Sequence, residues 1–92
     1  MAGCLVVFSS LNQVALLKRS LYQKGVFVEM QRTPHCLSTT GCGFAIRCER
    51  YELRLLEEEC RRLSIEHGGT FEEEVQNGTL RYRFLDASEF GR

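Results

Sequence analysis

Residues 71–84 read Phe71-Glu72-Glu73-Glu74-Val75-Gln76-Asn77-Gly78-Thr79-Leu80-Arg81-Tyr82-Arg83-Phe84, and this stretch decides the fold. Asn77-Gly78 marks a two-residue hairpin turn, because both central positions take positive φ and these residue types do so at low cost. Folding the chain there sets Val75 against Leu80, Glu74 against Arg81, Glu72 against Arg83 and Phe71 against Phe84. Apolar meets apolar and acid meets base at each step, and a one-residue slip would destroy the matching. A hairpin over about 70–85 therefore belongs to an antiparallel sheet.

Upstream, Cys4-Leu5-Val6-Val7-Phe8 is apolar on both faces, as a central strand requires. Ser9 and Ser10 are N-cap candidates for a helix whose Leu11, Val14, Leu17 and Leu21 recur at helical spacing and which Gly25 stops. Leu16 points away from that stripe and is expected to be exposed. Val26, Val28 and Met30 alternate with Phe27, Glu29 and Gln31 in a second strand. Residues 32–43 form a loop, opened by Thr33-Pro34 and closed by Gly41-Cys42-Gly43, and Phe44–Cys48 is a third strand. A second helix over about 50–63 carries Leu53, Leu56, Cys60 and Leu63 on one face, with Glu57–Arg61 and Glu58–Arg62 as i,i+4 pairs. The order β-α-β-β-α-β plus one strand predicts an α+β fold. It is a single ferredoxin-like two-layer sandwich over 1–92, with strands one and three central and an added C-terminal hairpin strand. The second face of strand one is also apolar, so the terminal hairpin or the second subunit of a homodimer is expected to cover it.

Twelve basic residues balance twelve acidic ones, so the formal net charge is zero and the chain lacks the basic surplus of a nucleic-acid binder. Hydrophobic residues at 43% and charged residues at 26% exclude a disordered composition. The apolar run at Cys4–Phe8 is far shorter than the roughly 20 residues of a membrane span, and no positive charge precedes it as in a signal peptide. A cytoplasmic protein with no membrane partner is expected. Five cysteines are an odd count, which favours free thiols over a disulfide framework.

The chemistry is expected in the loop. Cys42 stands between Gly41 and Gly43, unshielded by neighbouring side chains, where successive backbone amides can form an anion-binding nest and hold a thiolate. Ser38 lies in the same loop, and His35 and Arg47 would add positive charge if the fold brings them close. Cys36 is near enough in sequence to act as a resolving thiol. The blander readings are a small residue in a tight turn for Cys42 and an exposed bystander for Cys36. Cys4, Cys48 and Cys60 fall on apolar faces and read as core. His35, Cys36 and Cys42 lack the paired spacing of a zinc site, so neither metal nor cofactor is expected. His67, before Gly68-Gly69, reads as a turn residue, and Glu72-Glu73-Glu74 as a solvated edge.

Phe8-Ser9-Ser10, the helix closed by Gly25, Thr33-Pro34, Leu37-Ser38 and Cys42-Gly43-Phe44-Ala45-Ile46-Arg47 together resemble a small bacterial domain family described as selenium/sulfur carrier protein-like. The likeness runs from about Leu5 to Leu63. It implies a non-enzymatic cytosolic carrier in which Cys42 holds sulfur or selenium as a persulfide or selenylsulfide. A donor such as a cysteine desulfurase would load it and a downstream acceptor protein would take the atom, docking on a surface that includes Leu16, Tyr51 and Leu55. The loop between Leu37-Ser38 and Cys42 is longer here than in the family pattern, and Cys36 is an addition to it. The competing reading is a dimeric protein- or effector-binding module whose cysteines are only structural; a thiol redox enzyme would need Cys36 and Cys42 to cycle as a disulfide.

Overall fold

The computed structural model describes residues 3–37 and 43–89. The elements run β1 (Cys4–Phe8), α1 (Leu11–Gln23), β2 (Glu29–Arg32), a 3₁₀ turn (His35–Leu37), β3 (Phe44–Cys48), a 3₁₀ turn (Arg50–Glu52), α2 (Leu53–Arg62), β4 (Gly69–Gln76), β5 (Thr79–Phe84) and a last 3₁₀ turn (Ala87–Glu89). All five strands join one antiparallel sheet in the order β2-β3-β1-β4-β5, so this is a mixed α+β architecture with β1 and β3 inside the sheet. No helix among the described residues is long and apolar enough to cross a membrane.

The hairpin has the register its sequence dictates: Phe71↔Phe84, Glu72↔Arg83, Glu74↔Arg81 and Val75↔Leu80. Asn77 and Gly78 take φ of 52° and 77°, the double left-handed turn that matches strand twist. The edge-on Phe71–Phe84 pair, with centroids 5.7 Å apart, adds to the cross-strand fit. Arg83, rather than Arg81, binds both Glu72 and Glu74, and also reaches Glu89.

One face of the sheet packs against both helices. Cys4, Val6 and Phe8 of β1 and Ile46 and Cys48 of β3 share a core with Val14, Leu17 and Leu21 of α1 and Leu53, Leu56 and Cys60 of α2. Ser10 caps α1 in extended conformation, its Oγ accepting from the Gln13 N–H at 3.4 Å. Leu16 is exposed, as its place off the apolar stripe requires. The second strand differs from the sequence expectation: pairing starts at Glu29 and runs to Arg32, because Arg32 and Phe44 are the last partners of the β2–β3 ladder. Val28, just before it, turns into the core instead.

The helix-surface ion pairs also differ. Arg62 bonds Glu59 one turn back instead of Glu58, while Glu57 binds His67. Glu59 is the reason. It sits on the buried side of α2, only 2% exposed, and needs donors. Arg62 Nη2 at 2.8 Å, Lys24 Nζ at 2.8 Å and the Ser20 hydroxyl supply them, tying the end of α1 to α2. These hydrogen bonds, led by that of Arg62, hold the Glu59 carboxyl well below the usual carboxylate range.

The opposite sheet face carries Leu5, Ala45, Arg47, Phe71, Glu73 and Tyr82, all on one side by register. Leu5 and Ala45 are fully buried there. The terminal hairpin does not fold over this face as one sequence expectation had it; it widens the sheet beyond β1. Glu73 is buried as well, ion-paired to Arg47, so the Glu72-Glu73-Glu74 run is not simply a solvated edge. Val75, Leu80 and Phe84 remain exposed.

Candidate functional site

The connection between β2 and β3 is the candidate site. Its ends are tied together: the Thr33 N–H donates to the Gly43 carbonyl at 3.2 Å, one step beyond the Arg32↔Phe44 pair. The Leu37 N–H closes the 3₁₀ turn on the Pro34 carbonyl at 2.9 Å. Gly43 could be no other residue without distortion. Its φ is +145°, and an added Cβ would meet the Phe8 carbonyl oxygen at 3.1 Å and Thr33 Oγ1 at 3.3 Å. The glycine lets the connection press against the end of β1, just before the start of α1. Thr33 Oγ1 is buried and has no hydrogen-bond partner among the described residues.

Cys42, Gly41 and Ser38 lie outside the described residues. Cys36 and His35 stand on the exposed 3₁₀ turn. Burial raises the Tyr82 phenol above the ordinary tyrosine value, Glu73 and Cys36 raise it further, and Arg47 opposes them. Arg47 does not reach toward Gly43: four residues along a strand are about 13 Å, and its guanidinium is engaged by Glu73 at 2.9 Å and by Gln31 at 3.2 Å. The structure thus groups Arg47 with Glu73, Gln31 and, by register, Tyr82, and separates Arg47 from the Gly43 end of the connection.

The other described cysteines are core, as their apolar faces foretell. Burial pushes the Cys4 thiol up to about 11, with Glu72 adding to the effect. It pushes Cys60 up to about 12, helped by Glu57 and Glu59, and holds Cys48 far above the ordinary thiol range. Since only the thiolate is a nucleophile or ligand, all three are chemically silent at neutral pH. Among the described residues, no group of three or more His, Cys, Asp or Glu side chains could hold a metal ion.

His67 is more than the turn residue its glycine neighbours suggest. Its Nδ1 accepts from the Gly69 N–H at 3.2 Å, which leaves the proton on Nε2 to donate to Glu57 at 2.5 Å. The ring also meets Phe8 edge-on at 5.9 Å, so it pins α2 and the start of β4 to the end of β1 that Gly43 presses on. No local pattern marks a contact ten residues apart, and the expected grouping missed it. Tyr82 was legible in principle, since strand parity sets it on the face of Arg47 and Glu73 once the sheet order is known.

A family model described as "Putative Se/S carrier protein-like" matches residues 3–72. No curated protein and no solved structure matches the chain. The match takes in both helices and four of the five strands wholly or in part, with the whole β2–β3 connection between them. The chain belongs to this selenium/sulfur carrier-like family.

Proposed function

We propose that the protein carries a zero-valent sulfur or selenium atom on Cys42, taken from a donor protein and passed to an acceptor. One observation carries the reading. Of the four described cysteines, three are buried with their thiols held neutral, and the exposed one, Cys36, shares the β2–β3 connection with Cys42. Thiol chemistry is thereby confined to one loop of a chain in a carrier-like family. The strand order β2-β3-β1-β4, with a helix in each crossover from β1 to β2 and β3 to β4, supports a ferredoxin-like sandwich extended by β5.

In the loading step the Cys42 thiolate attacks the terminal sulfur of the donor's persulfide. The donor's S–S bond breaks, its thiolate leaves with the electron pair, and Cys42 becomes the persulfide. In delivery an acceptor nucleophile attacks that terminal sulfur and Cys42 leaves as thiolate. Neither step consumes an oxidant or reductant, so no enzymatic activity or cofactor is required of the carrier. Cys36 is the nearest candidate for a resolving thiol: attack on the inner sulfur of a Cys42 persulfide would form a Cys36–Cys42 disulfide and expel hydrosulfide.

The test is peptide mass spectrometry under non-reducing conditions after incubation with a cysteine desulfurase and cysteine. A gain of about 32 Da, one sulfur atom, is expected on the peptide holding Cys42, and Cys42→Ser should abolish it. Retention of the label in Cys42→Ser, or no adduct at any cysteine, refutes the reading.

A further inference from the structure

One side of α1 faces neither the sheet nor α2. Ala15, Lys18 and Tyr22 follow one another along it at helical spacing with Arg19 beside them, and all four are exposed. They border β2, an edge strand whose Met30 lies on the helix side of the sheet yet is 41% exposed. Ala15, Lys18, Arg19, Tyr22 and Met30 line a groove of about 330 Å³ between helix and strand. Phe27 extends its aromatic wall, meeting Tyr22 edge-on with centroids 5.2 Å apart.

The rim is cationic. α1 contains Lys18 and Arg19 and no acidic residue. Most of the strong ion pairs lie on α2 and the hairpin, and among the described residues neither Lys18 nor Arg19 takes part in one. Arg32 adds a third cation at the end of β2. Among the described residues, nothing pairs with the outer edge of β2. The Thr33–Gly43 hydrogen bond fixes the phase of the β2–β3 ladder, which turns the N–H and C=O groups of Met30 and Arg32 outward from the sheet.

From this juxtaposition we infer that the α1–β2 groove docks an extended acidic segment of a partner protein. The segment adds to the β2 edge, bonding the main chain of Met30 and Arg32. Alternate side chains set an apolar group between Tyr22 and Met30 and carboxylates against Lys18 and Arg19. Three cations fall short of the basic clusters that hold anionic membranes, and the chain has no net positive charge to hold nucleic acid. A docked partner would sit beside the strand that leads directly into the Cys36 connection. The inference does not depend on what Cys42 carries.

The test is fluorescence anisotropy with a labelled peptide of about ten residues in which every second position is glutamate or leucine in turn, with threonine between, so that both kinds of side chain share the face toward the groove. Saturable binding is expected with Kd below about 1 mM at low salt, weakening as salt rises. The double variant Lys18→Glu/Arg19→Glu and, separately, Tyr22→Ser should each weaken binding about tenfold or more. Leu80→Ser, on the opposite sheet face, should leave it unchanged. All four positions are exposed, and circular dichroism of each variant establishes that it is folded. Amide hydrogen exchange should slow at Met30 and Arg32 in the complex. Binding that ignores these substitutions, equal binding of the lysine–leucine analogue, or self-association through β2 that excludes the peptide overturns the inference. So does preferential capture by phosphatidylserine vesicles through Lys18 and Arg19.

Discussion

Replacing Glu59 with glutamine keeps its shape and removes its charge. In the native protein the carboxylate is 2% exposed and accepts from Arg62, Lys24 and Ser20. Hydrogen bonds to a charged group contribute about 1.5–3 kcal/mol each. Lys24 and Arg62 are about half exposed and can recover hydration when the charge goes, so their share is discounted by roughly half. The remaining loss is about 3 kcal/mol, the low end of that sum, because the amide oxygen still accepts from a donor even though its N–H₂ turns toward a cation. For a chain of this size that lowers the urea midpoint by about 2–3 M and the melting temperature by about 12–24 °C. The pH dependence gives a second readout. The Glu59 pKa is depressed by folding, so its contribution is complete above the unfolded carboxylate value near 4.5 and is lost as pH falls below it. The gap between wild type and Glu59→Gln should therefore be widest at neutral pH and narrow through the acid limb. Urea melts of both proteins from pH 7 to pH 3 measure it, with Glu58→Gln, exposed and only weakly paired to Arg54, as the control within about 0.5 kcal/mol. A Glu59→Gln protein as stable as that control, or a gap constant with pH, refutes the reasoning.

Alkylation of the native protein at pH 7 should modify only cysteines of the β2–β3 connection. At a pKa of about 11, Cys4 is ionised in about one molecule in 10⁴, and peptide mapping that finds Cys4, Cys48 or Cys60 labelled before unfolding would contradict the structure. Gly43→Ala should cost about 2–3 kcal/mol in denaturant melts, for strained backbone plus contact with the Phe8 carbonyl and Thr33. Gly78→Ala, whose Cβ meets nothing within 4 Å, should cost only about 1 kcal/mol, and equal losses would mean that the close approach at Gly43 is absent. Arg47→Met should destabilise by about 3 kcal/mol, because it strands buried Glu73, whereas Glu73→Gln leaves a half-exposed arginine that water can serve and should cost about 1 kcal/mol. A reversed order in chemical denaturation would rule that asymmetry out.

The parts of the fold legible in the sequence are those fixed by local or nearest-strand patterns. The hairpin register followed from residue-by-residue matching, α1 from its cap and apolar spacing, and β3 from its apolar run. The start of β2 was not legible, because Val26–Met30 alternates well enough to be a strand and only the pairing partner Arg47 determines that bonding begins at Glu29. Glu57, Glu58 and Glu59 look equivalent on a helix surface. Their different fates depend on the rotation of α2 against α1, which buries Glu59 and sends Glu57 to His67. At the candidate site, the sorting of cysteines was readable for Cys4, Cys48 and Cys60, since apolar neighbours at strand or helix spacing imply a dry environment. Arg47 shows the limit of such reading. Four residues from Gly43 it is near in sequence, but the strand carries it about 13 Å away, and the sheet supplies Glu73 from β4 as its counter-charge. The charge on β3 therefore stabilises the sheet face that Glu73 and Tyr82 share. Activation of a thiol beside Gly43 would have to come from backbone N–H donors rather than from that arginine, since the Phe8 carbonyl oxygen that faces Gly43 disfavours an anion.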